Sequence, residues 1–379
     1  MSFPEEPLDL PPHQGGGYYP AAIHQRIHNG KYEIIRKLGY GPLSSTWLVL
    51  HESQNKLIYS ALKIFTVAAS EEAKETELPI LKAMSDLRSF DLGLPIFRGS
   101  FWKQSNAGTH LCIVMNVMAT SARALQREAD HSRLPVHVVQ TLVYAAANAL
   151  AGLHKEKVMH GGIDADCIYL GMNMQTKHLK SMLDSEPQPT TVDVNGFTTV
   201  LSQPLSTEDK WNDKQKDVVD WDVQVGNLGH AQRRIYTPEK GHNYSFAPET
   251  LLERATCSPK TDIWMLGCLT YTLLTNTELF DGLGPTTHRI ATMHAVLEDE
   301  VPNSWLSDGN MKEYTDAASD DFTSIEAGLA LALHKDDVGP AVAFVKSCLR
   351  LDPQERLTAH ECMDHGWLSM ADACSCQFC

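Results

Sequence analysis

The sequence predicts an α+β protein of two lobes, a strand-rich lobe first and a helical one after it. Residues 31–38, 45–51 and 57–66 are β-rich runs separated by turn residues, which predicts a meander of antiparallel strands. Residues 136–155, 258–275 and 338–351 are long, apolar and helix-favouring, and all of them come later. Strands gathered at one end of a chain and helices at the other give this class.

Composition allows a large core. Apolar residues make up 43% and charged residues 21% of the 379, close to globular averages. A formal charge of −15 argues against sequence-independent binding to nucleic acid or anionic membrane, because both need a cationic surface, while it suits basic peptides. The first twelve residues are acidic and proline-rich, unlike a secretory leader, and no later apolar run approaches about 18 residues. The chain therefore reads as intracellular, in cytoplasm, nucleus or both, with no transmembrane segment. Of nine cysteines, Cys112, Cys167, Cys257, Cys268, Cys348 and Cys362 are scattered without metal-ligand spacing and read as reduced thiols. The other three end the chain as Cys374-Ser-Cys376-Gln-Phe-Cys379. This tail admits lipidation, metal binding with His365, or an inert reduced state, and the last is favoured because no prenylation ending matches.

Taken in order, residues 1–30 are rich in Pro, Gly and His without periodicity and predict an extended or partly ordered arm. Residues 31–118 form the first lobe, an antiparallel sheet with one helix at 71–87 interrupted only by Pro79, and an apolar strand at 111–117. Residues 119–368 form the mainly helical second lobe. Within it, 171–222 turns polar and charged and reads as a spacer-like insertion, and 369–379 is the cysteine tail.

The motifs follow a fixed order. Leu38-Gly39-Tyr40-Gly41-Pro42-Leu43-Ser44 is a glycine-rich hairpin able to bring backbone N–H groups near phosphates, Ala61-Leu62-Lys63 ends a strand, and Glu77 sits on the next helix. Downstream come Ala247-Pro248-Glu249, then Thr261-Asp262-Ile263-Trp264-Met265-Leu266-Gly267-Cys268, then Asp352-Pro353-Gln354-Glu355-Arg356. This series resembles the eukaryotic protein kinases. Gly16-Gly17-Tyr18-Tyr19-Pro20, Asn29-Gly30-Lys31-Tyr32, Arg36 to Gly41 and Ser45-Thr46-Trp47-Leu48 are similar to the entry into the SR-protein kinase family in particular, especially its fungal members. The resemblance implies a bilobal kinase fold, a Lys63–Glu77 pair on ATP phosphates, a Glu249–Arg356 brace for the activation segment, and Asp262 anchoring the catalytic loop. It also places Leu81, Phe97, His160, Leu228 and Asp262 as a structural spine, and the insertion where that family carries a spacer.

The chemistry departs from the pattern. The catalytic loop, His160-Gly161-Gly162-Ile163-Asp164-Ala165-Asp166-Cys167, puts Gly162 at the position of the catalytic Asp, Asp164 at that of the Lys and Cys167 at that of the metal-binding Asn. In Val225-Gly226-Asn227-Leu228-Gly229-His230, Asn227 stands where the metal-ligating Asp belongs, and hard divalent cations favour carboxylates. A positioned base contributes about 10²–10⁴ in rate and a metal several kcal/mol more, so their joint loss predicts a pseudokinase with weak or absent phosphotransfer. Asp164 and Asp166 are the candidate substitutes in an alternative reading, a divergent serine/threonine kinase for Arg/Ser-rich proteins.

The resemblance further implies a purine pocket from Leu38, Gly39, Gly41, Thr46, Ala61, Met115, hinge residues 116–118 with Met118, and Tyr169, where Thr46 and Tyr169 replace the usual roof and floor. Two readings stand here: weak or metal-independent ATP binding with Mg²⁺ weak or absent, or a pocket left empty or occluded by Tyr169 with Lys63–Glu77 a structural pair. The implied partners are Arg/Ser-rich peptides or an active kinase. Tyr236, Thr237, Tyr244 and Ser245 are candidate phosphorylation sites, though Gly161 offers no arginine to receive a phosphate.

Overall fold

The computed structural model describes residues 5–87, 92–172, 176–280, 286–311 and 323–369. Its contacts divide the chain into two compact units, residues 1–120 with 170–208, and residues 121–169 with 209–379.

In the first unit, β1 (Arg26–Ile27), β2 (Tyr32–Gly41), β3 (Ser44–Ser53), β4 (Lys56–Phe65), β5 (Phe97–Gln104) and β6 (Thr109–Met115) form one sheet, ordered β1-β2-β3-β4-β6-β5. The strand pairs for which register is defined are antiparallel. Side chains alternate across a strand, and β3 shows the consequence. Trp47 and Val49 enter a core with Tyr19, Ile27, Ile34, Leu62, Ile64, Cys112 and Val114, whereas Leu48 between them packs with Val117, Leu179, Leu183 and Leu205. Both faces are covered, which is why β3 reads as a continuous apolar run.

The single helix expected at 71–87 is two, α1 (Val67–Glu75) and α2 (Glu77–Asp86), with Thr76 between them at ψ −76°. Thr66 caps α1, its hydroxyl accepting from the Ala69 N–H. Pro79 is no interruption. It falls in the first turn of α2, where no intrahelical partner exists for its missing N–H.

Two regions differ from the sequence reading. From residue 5 the arm is docked: Tyr18 and Tyr19 are buried, the Tyr18 hydroxyl donates to the Gly41 carbonyl at 2.9 Å, and β1 pairs with β2. The insertion, grouped by sequence with the second lobe, has its residues 170–208 in the first unit. It carries a helix, Thr176–Ser185, and a hairpin of Thr191–Val194 with Phe197–Val200. Asn195 and Gly196 turn the hairpin at φ 56° and 84°, a left-handed pair that Asn-Gly adopts readily.

One buried cation ties arm, sheet and insertion together. Lys37 is 0% exposed, donates to Glu5 at 2.5 Å and to the Val200 carbonyl at 3.1 Å, and pairs with Glu6. Glu5 in turn accepts from the backbone and hydroxyl of Ser202. Beside it Arg36 pairs with Glu186.

In the second unit, Val136–Lys155 is the central helix, with Val138, Leu142, Ala146, Leu150 and Leu153 fully buried. Among the described residues it is the one helix long and apolar enough by length and mean composition to cross a membrane, but polar residues such as Gln140 and Asn148 interrupt it and most of it is spent on the core. Pro259–Thr275 begins in a capping box of Ser258 with Thr261, has Pro259 in its first turn, and ends at Asn276 in the left-handed region. Gly267 lets it meet Lys335–Cys348 closely, since a Cβ there would stand 2.8 Å from that of Cys348. The cysteine tail lies outside the described residues.

Replacing Lys37 with Ala leaves two buried carboxylates without their cation. Chemical denaturation should show a loss of about 3–5 kcal/mol, with hydrogen exchange accelerating first in residues 5–19 and 186–203.

Candidate active site

In the first unit the expected nucleotide residues lie on neighbouring strands. Leu38, Gly39 and Gly41 line the β2–β3 hairpin, which carries a register shift between Lys37 and Gly39, and a Cβ at either glycine would meet no atom within 4 Å. The fold does not require these glycines, so what they supply is bare backbone that a phosphate can approach. Thr46 pairs in register with Lys63, and Ala61 with Met115. Lys63 donates to both oxygens of Glu77, at 2.7 and 2.8 Å, and lies over the Phe65 ring. Asn116 is locked to Ile96 by two hydrogen bonds, its side chain accepting at 2.7 Å, and Met118 opens the next strand, half-buried.

In the second unit, the catalytic loop hangs from Asp262. This fully buried carboxylate accepts from the backbone N–H groups of His160 and Gly161 and from the ring of His154, each at 2.8 Å. Gly162 N–H donates to His160 Nδ1, so the proton sits on Nε2 and is donated to the Gly226 carbonyl at 3.0 Å. Burial holds the His160 ring neutral by pushing its pKa down. Leu228 is buried in a short turn that follows Asn227, whose backbone is left-handed at φ 59°, a region asparagine tolerates. Farther on, Arg356 forks onto Glu249 at 2.8 and 2.7 Å and donates to the carbonyls of Arg350, Lys260 and Leu351, so this buried ion pair leaves no donor orphaned.

None of the altered positions offers a free ionised carboxylate. Asp164 has folded back on its own loop, one oxygen accepting from the N–H of both Asp166 and Cys167 at 2.9 Å. Burial and then Asp166 raise its pKa. Asp166 lies 3.5 Å from Arg123. Cys167 donates to the Asp164 carbonyl, and burial pushes its thiol pKa well up, so it stays a neutral, soft group with little for Mg²⁺. Tyr169 is held protonated by burial and by Cys167, Asp166 and Asp164 beside it.

Motif reading did not find what stands beside Gly162. A Cβ at 162 would lie 3.2 Å from Cδ2 of His230, and a Cβ at Gly161, which has φ +74°, would lie 2.6 Å from the His230 carbonyl. Gly161 is therefore required by both its backbone and its surroundings. His230 Nδ1 is 2.7 Å from Glu239, and its ring stacks on His242 at 4.1 Å. His242 in turn donates to the Gly161 carbonyl at 2.6 Å. Tyr244 accepts from the Glu239 N–H and is 1% exposed, which removes it as a phosphorylation site. The only signal in the sequence was a histidine directly after Asn227-Leu228-Gly229.

A family model described as protein kinase domain matches residues 216–368. A serine/threonine protein kinase of Aspergillus fumigatus is 27% identical over 95% of this chain and 89% of its own length. The serine/threonine-protein kinase SRPK of Physarum polycephalum is 24% identical over 97% of this chain and 92% of its own, and human SRSF protein kinase 3 is 28% identical over 44% and 30%. The crystal structure of a kinase domain aligns with TM-score 0.65 at 17% identity, over 93% of this chain and 99% of that one.

Gly161→Ala should lower stability by about 1–3 kcal/mol, from left-handed strain plus the clash with His230, read as a drop of several degrees in Tm. The buried histidines set a pH dependence. His160 and His110 have folded pKa values pushed down by burial, so on acidification the unfolded chain takes up protons that the fold refuses. Stability is then lost as pH falls below about 6.5, at up to about 1.4 kcal/mol per unit for each group. Urea midpoints at pH 7.5 and 5.5 check this, and a midpoint equal or higher at 5.5 contradicts it.

Proposed function

We propose that this chain is a protein kinase superfamily member of the SR-protein kinase type and acts as an intracellular pseudokinase. It is a regulatory or scaffolding protein whose phosphotransfer is weak or absent. One observation carries the reading: Gly162, Cys167 and Asn227 supply no carboxylate, and the nearest one, Asp164, is engaged by its own loop. Metal-assisted transfer needs ionised ligands and a base within hydrogen-bond reach of the acceptor.

The parts that give a kinase its shape are kept, which supports a binding role. Glu249–Arg356, Asp262 and Lys63–Glu77 are all made. Lys63 and the bare glycine backbone suit ATP phosphates, held without a strong requirement for Mg²⁺. The acidic balance of −15 suits Arg/Ser-rich partners through electrostatic complementarity. An active kinase is a second class of partner compatible with the retained architecture.

The second reading is a divergent serine/threonine kinase for Arg/Ser-rich proteins. The preserved Lys63–Glu77 pair and the similarity to serine/threonine protein kinases favour it.

Thermal shift with ATP should give a stabilisation that Lys63→Met removes and that Mg²⁺ or Mn²⁺ does not increase. On an Arg/Ser-rich peptide, turnover should lie at least about 10³-fold below the 1–100 s⁻¹ usual for kinases. Metal-dependent stabilisation with turnover in that usual range, abolished by Lys63→Met, establishes the second reading instead.

A further inference from the structure

The side of the loop from which a base is missing is not empty, and we propose that His230, oriented by Glu239, accepts the proton of a substrate hydroxyl at the place Gly162 leaves bare. This rests on the reading above, and makes His230 the group through which its weak transfer runs.

Three observations converge on the ring. Glu239, a carboxylate, accepts from Nδ1 at 2.7 Å, which leaves the lone pair on Nε2. Among the described residues Nε2 has no hydrogen-bond partner, and the side chain is 33% exposed. Cδ2, the carbon bonded to Nε2, lies 3.2 Å from where a Cβ at 162 would project. The ring edge carrying Cδ2 thus stands against position 162, with Nε2 one bond beyond it.

The pair is built rather than loose. Glu239 is held by its N–H on Tyr244 and by Gln232 at 3.4 Å. His242 backs the imidazole face to face, 18° from parallel, and is pinned to Gly161. Burial lowers the His242 pKa. A base with a carboxylate behind its other nitrogen is the arrangement that activates hydroxyls.

In the proposed step the hydroxyl oxygen bonds to the terminal phosphorus of a nucleoside triphosphate, and the bond from that phosphorus to the bridging oxygen breaks. The hydroxyl proton passes to Nε2, the nucleoside diphosphate leaves, and the imidazolium returns its proton to water. Nothing is oxidised or reduced.

The test uses the full chain, ATP and a serine-bearing Arg/Ser-rich peptide. Long-range ¹⁵N–¹H NMR should find His230 protonated at Nδ1 in the wild type. His230→Gln should cut the residual transfer by about 10²-fold or more and Glu239→Gln by about tenfold, both with ATP-induced thermal shifts unchanged. Added imidazole should restore transfer to His230→Gly in proportion to its concentration, which a space-filling role cannot do. If that variant does not fold, the tautomer and Glu239→Gln still decide. A proton on Nε2 in the wild type, or transfer unchanged in His230→Gln, overturns the proposal. No transfer above background overturns it too while leaving the pseudokinase reading intact, whereas fast Mg²⁺-dependent transfer indifferent to His230 overturns both.

Discussion

The site depends on one buried carboxylate. Asp262 is fully buried and accepts from two successive backbone N–H groups and an imidazole, all at 2.8 Å. Backbone donors cannot be moved by rotamer changes, so satisfying this charge fixes the path of the chain through His160 and Gly161. Everything after those residues inherits its direction, including the bare Cα of Gly162 and the turn that ends at Cys167. Glu249 and Arg356 do the same for a second stretch, with the guanidinium reaching three carbonyls besides its carboxylate.

With that scaffold intact, the absence of carboxylates at positions 162, 167 and 227 costs the fold little. A catalytic carboxylate is an exposed or half-paired charge that contributes little to stability, whereas a structural one is buried and fully bonded. Asp262 and Glu249 are of the second kind. Two glycines in succession are also a conformational matter, because Gly161 at φ +74° lets the loop pass within touching distance of His230. An arginine at 161 has no room in this arrangement. Loss of the acidic side chain and approach of the imidazole are thus one structural event.

Much of this was legible in order and spacing. The central helix 136–155 was read to the residue, and the strands to within a few, because apolar periodicity and turn residues are local. The insertion was read only as polar and spacer-like, although Thr-Val-Asp-Val-Asn-Gly-Phe-Thr-Thr-Val carries a plain hairpin signal. The arm was misread because Glu5, Glu6, Tyr18 and Tyr19 find their partners on strands and in an insertion far along the chain, and no local pattern encodes that.

From its residues alone the chain determined its class, its motif order and the absence of carboxylates at three positions, since identity at a position needs no geometry. What tertiary structure alone decided is the role of groups without a motif. Lys37 became a buried hub, Asp164 a bond acceptor for its own turn, and His230 the neighbour of Gly162. A side chain's chemistry is set by what surrounds it in space, and Glu239 and His242 reach His230 only once the loop between them has closed.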